Sequence, residues 1–131
     1  MIGFDTNLLV RLLVRDDPGQ AAKVDALVQE CLDAEETILL NGIVLCETVW
    51  VLESAYGHSR SVVGEVLEKI LLTRQLEVED RDAVWRALGR FRKGRADFAD
   101  YLLAERNSTL GCHRTATFDR ALEGEEGFLL L

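Results

Sequence analysis

The segment MIGFDTNLLVRLLV, residues 1–14, begins with a short apolar run and changes to a helical pattern after Asp5. Residues 1–4 predict a short strand, and residues 7–14 predict an amphipathic helix. A strand followed at once by a helix is the basic unit of a parallel sheet wrapped by helices. Asp5 is therefore placed where the carboxyl end of a parallel strand opens onto a binding cleft.

The rest of the chain repeats this alternation of short apolar runs and longer periodic segments. Residues 37–40, 76–78, 112–117 and 128–131 predict strands, and the segments between them predict helices. This order predicts an α/β fold, a three-layer α/β/α sandwich with a mainly parallel central sheet. Because 48% of the 131 residues are hydrophobic and no linker sequence is present, we predict a single domain over residues 1–131.

Charge and cysteine content exclude several classes of protein. Lys and Arg number 15 against 23 Asp and Glu, and the net charge of -8 is opposite to the basic footprint of a sequence-independent nucleic-acid binder. The 3 cysteines form no Cys-x-x-Cys pair, which argues against a disulfide framework or structural zinc and favours a reducing, cytoplasmic location. No apolar run approaches the roughly 18 residues of a membrane span, so we expect no membrane association.

Acidic residues follow the predicted strands. Asp5 comes after the first strand, Glu47 lies one turn into the helix after the second, and Asp119 comes after the fourth. Asp97 and Asp100 are spaced to share one face of a helix. Because the carboxyl ends of parallel strands meet at one edge of a sheet, we expect these side chains to gather there.

Unpaired carboxylates at one edge repel one another, and a hard divalent cation relieves that repulsion. Carboxylate and water oxygens are the ligands that Mg²⁺ and Mn²⁺ prefer. A metal held in this way polarises a phosphate and activates a water molecule. The acidic set therefore predicts phosphoryl chemistry, and the lack of a Gly-rich phosphate loop argues against an NTPase.

Each carboxylate also has a purely structural explanation. Asp5 and Asp119 are placed to cap the helices that follow them. Asp97, with Asp100 three residues later, resembles a capping box. For Glu47 the structural explanation is a buried ion pair, since its helical neighbours are apolar and an unpaired carboxylate on an apolar surface is costly.

Four motifs in this order resemble the PIN-domain family, and within it the VapC-type toxins of bacterial toxin–antitoxin pairs. They are residues 1–14, the helix around Glu47, ADFADYLLAE at residues 96–105 and TATFD at residues 115–119. The resemblance implies a Mg²⁺- or Mn²⁺-dependent endoribonuclease that cuts RNA such as tRNA or ribosomal RNA. It also implies a VapB-type antitoxin as a partner, and a homodimer.

Carried over by position, the resemblance implies an acidic quartet of Asp5, Glu47, Asp100 and Asp119. Asp5 and Asp100 would bind the metal directly, while Glu47 and Asp119 would bind a second ion or orient water. Asp97 is either a further metal ligand or a helix cap. The residues that would support the quartet by hydrogen bonds to ligands or water are Thr6, Asn7 and Thr117.

A basic stretch precedes the ADFAD motif. Its cationic members, all candidates for contact with RNA phosphates, are Arg86, Arg90, Arg92, Lys93 and Arg95. A solvated helix face is the alternative explanation.

Two other functions stay open from the sequence. The first is a different Mg²⁺-dependent α/β phosphatase with an Asp after its first strand, although the phosphatase pattern has a second Asp where this chain has Asn7. The second is a catalytically silent PIN-like module that only binds a partner. The complete acidic quartet favours an enzyme over the silent module.

Overall fold

A computed structural model describes all 131 residues and divides them into two compact units, Met1–Glu79 and Asp80–Leu131. Every strand pairing is parallel, and helices alternate with the strands, which confirms the α/β fold class. The strands are distributed over two sheets, a three-stranded one in the first unit and a two-stranded one in the second. None of the helices has the length and apolar character that crossing a membrane requires.

The first unit is built around a central strand. Its bounds are β1 Ile2–Gly3, α1 Thr6–Leu13, α2 Pro18–Asp33, β2 Ile38–Leu40, α3 Gly42–Ser54, α4 Arg60–Leu72 and β3 Leu76–Val78. β2 lies between β1 and β3, so that Ile38 pairs with both Ile2 and Leu76. Ile38 and Leu40 are fully buried, and the core of this unit forms around them.

Short polar side chains begin the helices of the first unit. Oδ1 of Asp17 accepts a hydrogen bond from the Gln20 amide at 3.0 Å, and Pro18 is the first helical residue of α2. Oγ of Ser59 accepts from the Val62 amide at 3.2 Å. Each cap satisfies an amide that has no partner within its helix, so the helices begin at residues that the sequence marks.

The second unit consists of a helix pair followed by two short strands. Its bounds are α5 Arg81–Lys93, α6 Phe98–Thr109, β4 Thr115–Thr117, a 3₁₀ turn Arg120–Leu122 and β5 Phe128–Leu130. α5 and α6 pack against each other, and the buried rings of Phe91 and Phe98 meet edge to face with centroids 6.0 Å apart. This aromatic pair fixes the start of α6 beside the end of α5.

β4 is shorter than the strand predicted over residues 112–117. The Cys112 amide donates to the Asn107 carbonyl at 2.9 Å, which continues the end of α6. Gly111 has a φ of 98°, a conformation that glycine adopts at helix ends without steric cost. The chain therefore closes the helix first, and the strand begins only at Thr115.

Candidate functional site

Asp5 lies where β1 ends and α1 begins. Its Oδ1 accepts a hydrogen bond from the Leu8 amide at 3.0 Å, so Asp5 is the N-cap of α1. The capping explanation is confirmed for this residue. The cap uses one carboxylate oxygen and the residue is exposed, so capping and metal binding are compatible here.

The polar residues after Asp5 form the first turn of α1. Thr6 is half-buried, and Asn7 is exposed. Asp5 and Asn7 line a largely apolar cleft of about 360 Å³ together with residues of α1 and α2. The supporting role of Thr6 and Asn7 stays a prediction.

Glu47 lies in the middle of α3 and is exposed. Ile43 and Trp50, about one turn away on either side, are themselves 67% and 69% exposed. The core side of α3 is formed instead by residues such as Leu45 and Val49. The buried ion pair is excluded, and the role of Glu47 rests on its place in the motif.

Two acidic residues of the second unit, Asp97 and Asp119, lie close enough to Asp100 for their charges to act on it. The pKa of Asp100 is raised above its ordinary value by desolvation, next by the negative charge of Asp97, and also by that of Asp119. A backbone hydrogen bond from Asp97 partly opposes this rise. The fold therefore brings together Asp97, Asp100 and Asp119, which the sequence separates by up to 22 positions.

Asp97 occupies the N-cap position of α6, but its side chain makes no capping hydrogen bond. The capping explanation is therefore wrong for the Asp97 carboxylate. A capping box has two hydrogen bonds, and only one of them is present here. It is the bond that the backbone amide of Asp97 donates to the carboxylate of Asp100. Asp97 is exposed, and its charge acts on Asp100 by repulsion.

Asp119 and Thr117 together fix the turn after β4. The Asp119 amide donates to Oγ1 of Thr117 at 3.0 Å, and Oδ1 of Asp119 accepts from the Ala121 amide at 2.9 Å. Thr117 is itself held in β4, where it pairs with Leu130. Asp119 thus caps the 3₁₀ turn with one oxygen, and Thr117 holds its backbone in place.

The donor chemistry fits a hard divalent cation, although no ready-made cage is present. No group of three or more His, Cys, Asp or Glu side chains is arranged to hold a metal ion. Mg²⁺ usually keeps several waters and takes one or two carboxylates from a protein, so a carboxylate pair is a sufficient donor set. A cation bound by Asp97 and Asp100 would offset the repulsion and desolvation that raise the pKa of Asp100.

Two members of the basic stretch share one carboxylate of α6. Nε of Arg86 donates to Oε2 of Glu105 at 2.9 Å, and Nη1 of Arg90 donates to Oε1 of the same carboxylate at 3.4 Å. The Arg90 side chain is only 21% exposed and lies over the ring of Tyr101. Arg86, Arg92, Lys93 and Arg95 are all exposed. Contact with RNA stays a prediction for all five basic residues.

Tyr101, next to Asp100, is a residue that the sequence patterns did not identify. It is fully buried, and its hydroxyl donates to Oε1 of Glu125 at 2.9 Å and accepts from the Ala96 amide at 3.2 Å. A buried tyrosine is expected to have hydrogen-bond partners, but the sequence does not say which. The hydroxyl joins the segment before α6 to the segment after the 3₁₀ turn.

Comparison with known proteins points to a family. The family model described as PIN domain matches residues 2–123, a range that spans both units and includes every candidate residue. Neither the curated proteins nor the solved structures yield a match.

Proposed function

Since this chain belongs to the PIN-domain family, we propose that it is an endoribonuclease that hydrolyses RNA with a carboxylate-bound Mg²⁺ or Mn²⁺. The PIN domain is generally a metal-dependent nuclease fold. The motifs that resemble VapC-type toxins support RNA as the nucleic acid. The family match also favours a nuclease over the α/β phosphatase considered from the sequence.

The observation that carries the proposal is the crowding of three carboxylates in the second unit. Desolvation and the charges of Asp97 and Asp119 all disfavour the ionised form of Asp100. Such crowding lowers the stability of the folded protein unless a positive charge offsets the repulsion. A bound divalent cation provides that offset, which supports a metal-dependent role for the cluster.

We assign the carboxylates the roles that the resemblance implies. Asp5 and Asp100 act as direct metal ligands, Glu47 and Asp119 orient water or bind a second ion, and Asp97 is a further ligand. The metal, when bound, supplies polarisation of the phosphate and a more acidic water. The carboxylates accept a proton from the attacking water, and Thr117 keeps Asp119 oriented for this task.

Charge explains how an acidic chain holds RNA. The net charge is -8, but metal cations bound by the carboxylates bring positive charge to the place where a phosphate must lie. Lys93 and Arg95 are exposed and lie four and two residues before Asp97 in the chain, so they are suited to contact neighbouring phosphates together with the other members of the basic stretch. We propose structured RNA of the tRNA or ribosomal RNA class as the substrate.

The wider biological role is proposed from the same resemblance. We propose that the protein is the toxin of a toxin–antitoxin pair, a cytoplasmic homodimer inhibited by a VapB-type antitoxin, and that both units act as one domain. Co-purification with the product of a small reading frame just upstream of the gene, where one is found, tests the antitoxin. The complex is expected to cleave RNA more slowly than the toxin alone, and equal rates would contradict inhibition.

The catalytic proposal is tested with purified protein and matched RNA and DNA oligonucleotides. We expect Mg²⁺-dependent cleavage of RNA that EDTA abolishes. Asp100→Asn is expected to lower the rate by at least the roughly 10- to 100-fold typical of residues that support a metal site. Asp82→Asn is the matched control, because Asp82 also lies in the first turn of a helix in the second unit. Equal cleavage by both variants would contradict the assignment of Asp100.

A silent binding module is the alternative outcome of this experiment. A folded protein that cleaves neither RNA nor DNA with Mg²⁺ or Mn²⁺ would favour it. Preferential cleavage of DNA would instead retain the nuclease and remove the ribonuclease assignment.

A further inference from the structure

We propose that Tyr101 is a positioning residue for the acidic cluster. Its hydroxyl fixes the segment that carries Asp97 and Asp100 relative to the segment that carries Asp119. This inference rests on the proposed metal-dependent function, because it concerns how the second unit holds its carboxylates for a divalent cation.

The Tyr101 hydroxyl connects two backbone segments within the second unit. Its acceptor contact is with the amide of Ala96, the residue immediately before Asp97, and its donor contact is with the carboxylate of Glu125. The ring is fully buried, so the hydroxyl has one fixed location. The hydroxyl oxygen of Tyr101 therefore holds both the residue next to Asp97 and the carboxylate of Glu125.

Backbone hydrogen bonds carry the position of Glu125 to Asp119. The Glu125 amide donates to the Leu122 carbonyl at 3.1 Å, and the Leu122 amide donates to the Asp119 carbonyl at 3.0 Å. The side chain of Leu122 is buried, which holds this turn against the unit. A shift of Glu125 would therefore be transmitted to Asp119.

Gly94 shows how closely the segment before α6 packs against the hydroxyl. A Cβ atom at residue 94 would lie 1.9 Å from the Tyr101 hydroxyl oxygen, far inside van der Waals contact. Only glycine lets the backbone approach the hydroxyl this closely at this position. The approach keeps Ala96 within hydrogen-bond distance.

Arg90 contacts both Tyr101 and Glu125. Its guanidinium lies 4.9 Å from the centre of the Tyr101 ring and 3.9 Å from Oε2 of Glu125. It also pairs with Glu105 of α6. Glu125 is therefore held between the hydroxyl of Tyr101 and the guanidinium of Arg90.

The expected effect of losing the hydroxyl is a weaker metal site. Groups that orient the ligands of a metal typically contribute about 10- to 100-fold in metal affinity or activity. Tyr101→Phe removes one oxygen atom and leaves the buried ring in place. Removal of that oxygen should loosen the spacing of the carboxylates without opening a large cavity.

The test is Mn²⁺ binding to the substrate-free protein, followed through the electron paramagnetic resonance signal of free Mn²⁺. Tyr101→Phe is expected to raise the dissociation constant about 10-fold. Tyr56→Phe is the matched control, since it removes the only other tyrosine hydroxyl, which donates to Asp16 at 2.9 Å in the first unit. The control is expected to bind Mn²⁺ like the unchanged protein.

A second pair of variants separates positioning from folding. Glu125→Ala removes the acceptor of the hydroxyl without altering the core and is expected to weaken Mn²⁺ binding in the same way. Glu125→Gln keeps an acceptor oxygen and is expected to restore much of the affinity. Circular dichroism confirms that each variant is folded, and the Glu125 pair decides the matter where Tyr101→Phe does not fold.

The outcomes distinguish this inference from the proposed function. Unchanged Mn²⁺ affinity in folded Tyr101→Phe or in Glu125→Ala would overturn the positioning role alone. Failure of the unchanged protein to cleave RNA would overturn the proposed function alone, because binding is measured without RNA. Failure of the unchanged protein to bind Mn²⁺ would overturn both.

Discussion

Asp97 and Asp100 lie close enough at the start of α6 that the negative charge of Asp97 adds to desolvation, the larger effect, in raising the pKa of Asp100. Acids in the first turn normally stabilise a helix through its dipole. Here the second acid is crowded by the first and also feels the charge of Asp119. Natural proteins keep destabilising arrangements of this kind mainly at functional sites. The crowding of Asp100 therefore supports a functional role for this carboxylate.

Replacement of Asp100 by Asn is expected to stabilise the metal-free protein near neutral pH. Because folding raises the pKa of Asp100, the group contributes to stability at pH values below 3.8, its ordinary pKa in the unfolded chain. That contribution is lost as the pH rises through the pKa of the group in the folded protein. At neutral pH the ionised group is therefore unfavourable. We expect Asp100→Asn to raise Tm by roughly 2 °C in thermal unfolding with EDTA.

The pH dependence and a control make this prediction specific. The advantage of Asp100→Asn should shrink as the pH falls towards 3.8, because the wild-type carboxyl is then protonated as well. Asp82→Asn, which removes an uncrowded first-turn acid from α5, should leave Tm unchanged or lower it. A lower Tm for Asp100→Asn at neutral pH would contradict the crowding.

Divalent metal should stabilise the unchanged protein more than the Asp100→Asn variant. A ligand that binds only the folded state adds about 2.7 kcal/mol of stability at 100 times its Kd. We expect Mg²⁺ to raise Tm of the unchanged protein and to have a much smaller effect on the variant. NaCl at equal ionic strength is the control for screening, and equal Mg²⁺ shifts in both proteins would count against a cation at this cluster.

Gly94→Ala should destabilise the protein through a clash with Tyr101. The new Cβ would lie 1.9 Å from the hydroxyl oxygen and 3.1 Å from the Arg90 carbonyl oxygen. Overpacking of this kind typically costs about 1–3 kcal/mol. In a Tyr101→Phe background the cost should be smaller, because the nearest atom is gone. Urea unfolding of the double-mutant cycle measures this coupling, and equal costs in both backgrounds would refute it.

Lys93 and Arg95 should contribute to RNA binding through phosphate contacts. Replacing both by Gln is expected to weaken binding and to reduce the slope of log K against log salt by about 1.4, if each contacts one phosphate of single-stranded RNA. Lys69 and Arg74, exposed in the first unit, provide a control pair with the same change of charge. An unaltered salt slope in the Lys93 and Arg95 variant would remove this patch from the proposal.

Thr117 should support catalysis by holding Asp119. Thr117→Val keeps nearly the same shape but lacks Oγ1. In the unchanged protein that atom accepts a hydrogen bond from the Asp119 amide at 3.0 Å. The single-turnover cleavage rate is expected to fall about 10-fold. Thr117→Ser keeps the acceptor and is expected to retain most of the rate. Similar rates for the Val and Ser variants would show that the hydroxyl is not needed.

The local features of this protein could be predicted from its sequence. Asp5 and Asp119 stand at changes of hydrophobic periodicity, and both cap the structure that follows, with hydrogen bonds of 3.0 Å and 2.9 Å. The parallel pairing of the strands also followed from their alternation with helices. Capping depends on residues within a few positions of one another, and parallel pairing follows from the order of the elements along the chain.

The features that could not be predicted depend on which face of a helix meets the core or on distant partners. α3 is apolar nearly all round, so periodicity did not show that Glu47 is exposed while Leu45 is buried. The partner of the Tyr101 hydroxyl, Glu125, is 24 residues away, and the engagement of Arg90 depends on the same network. No local pattern records these contacts.

Cleavage of a circular RNA tests the central claim most directly, because a circle has no ends for an exonuclease. We predict that the purified protein converts the circle to a linear product with Mg²⁺ or Mn²⁺, and that EDTA or Asp100→Asn stops the reaction while Asp82→Asn does not. An intact circle in the presence of folded protein and metal would contradict the account, as would equal linearisation by Asp100→Asn.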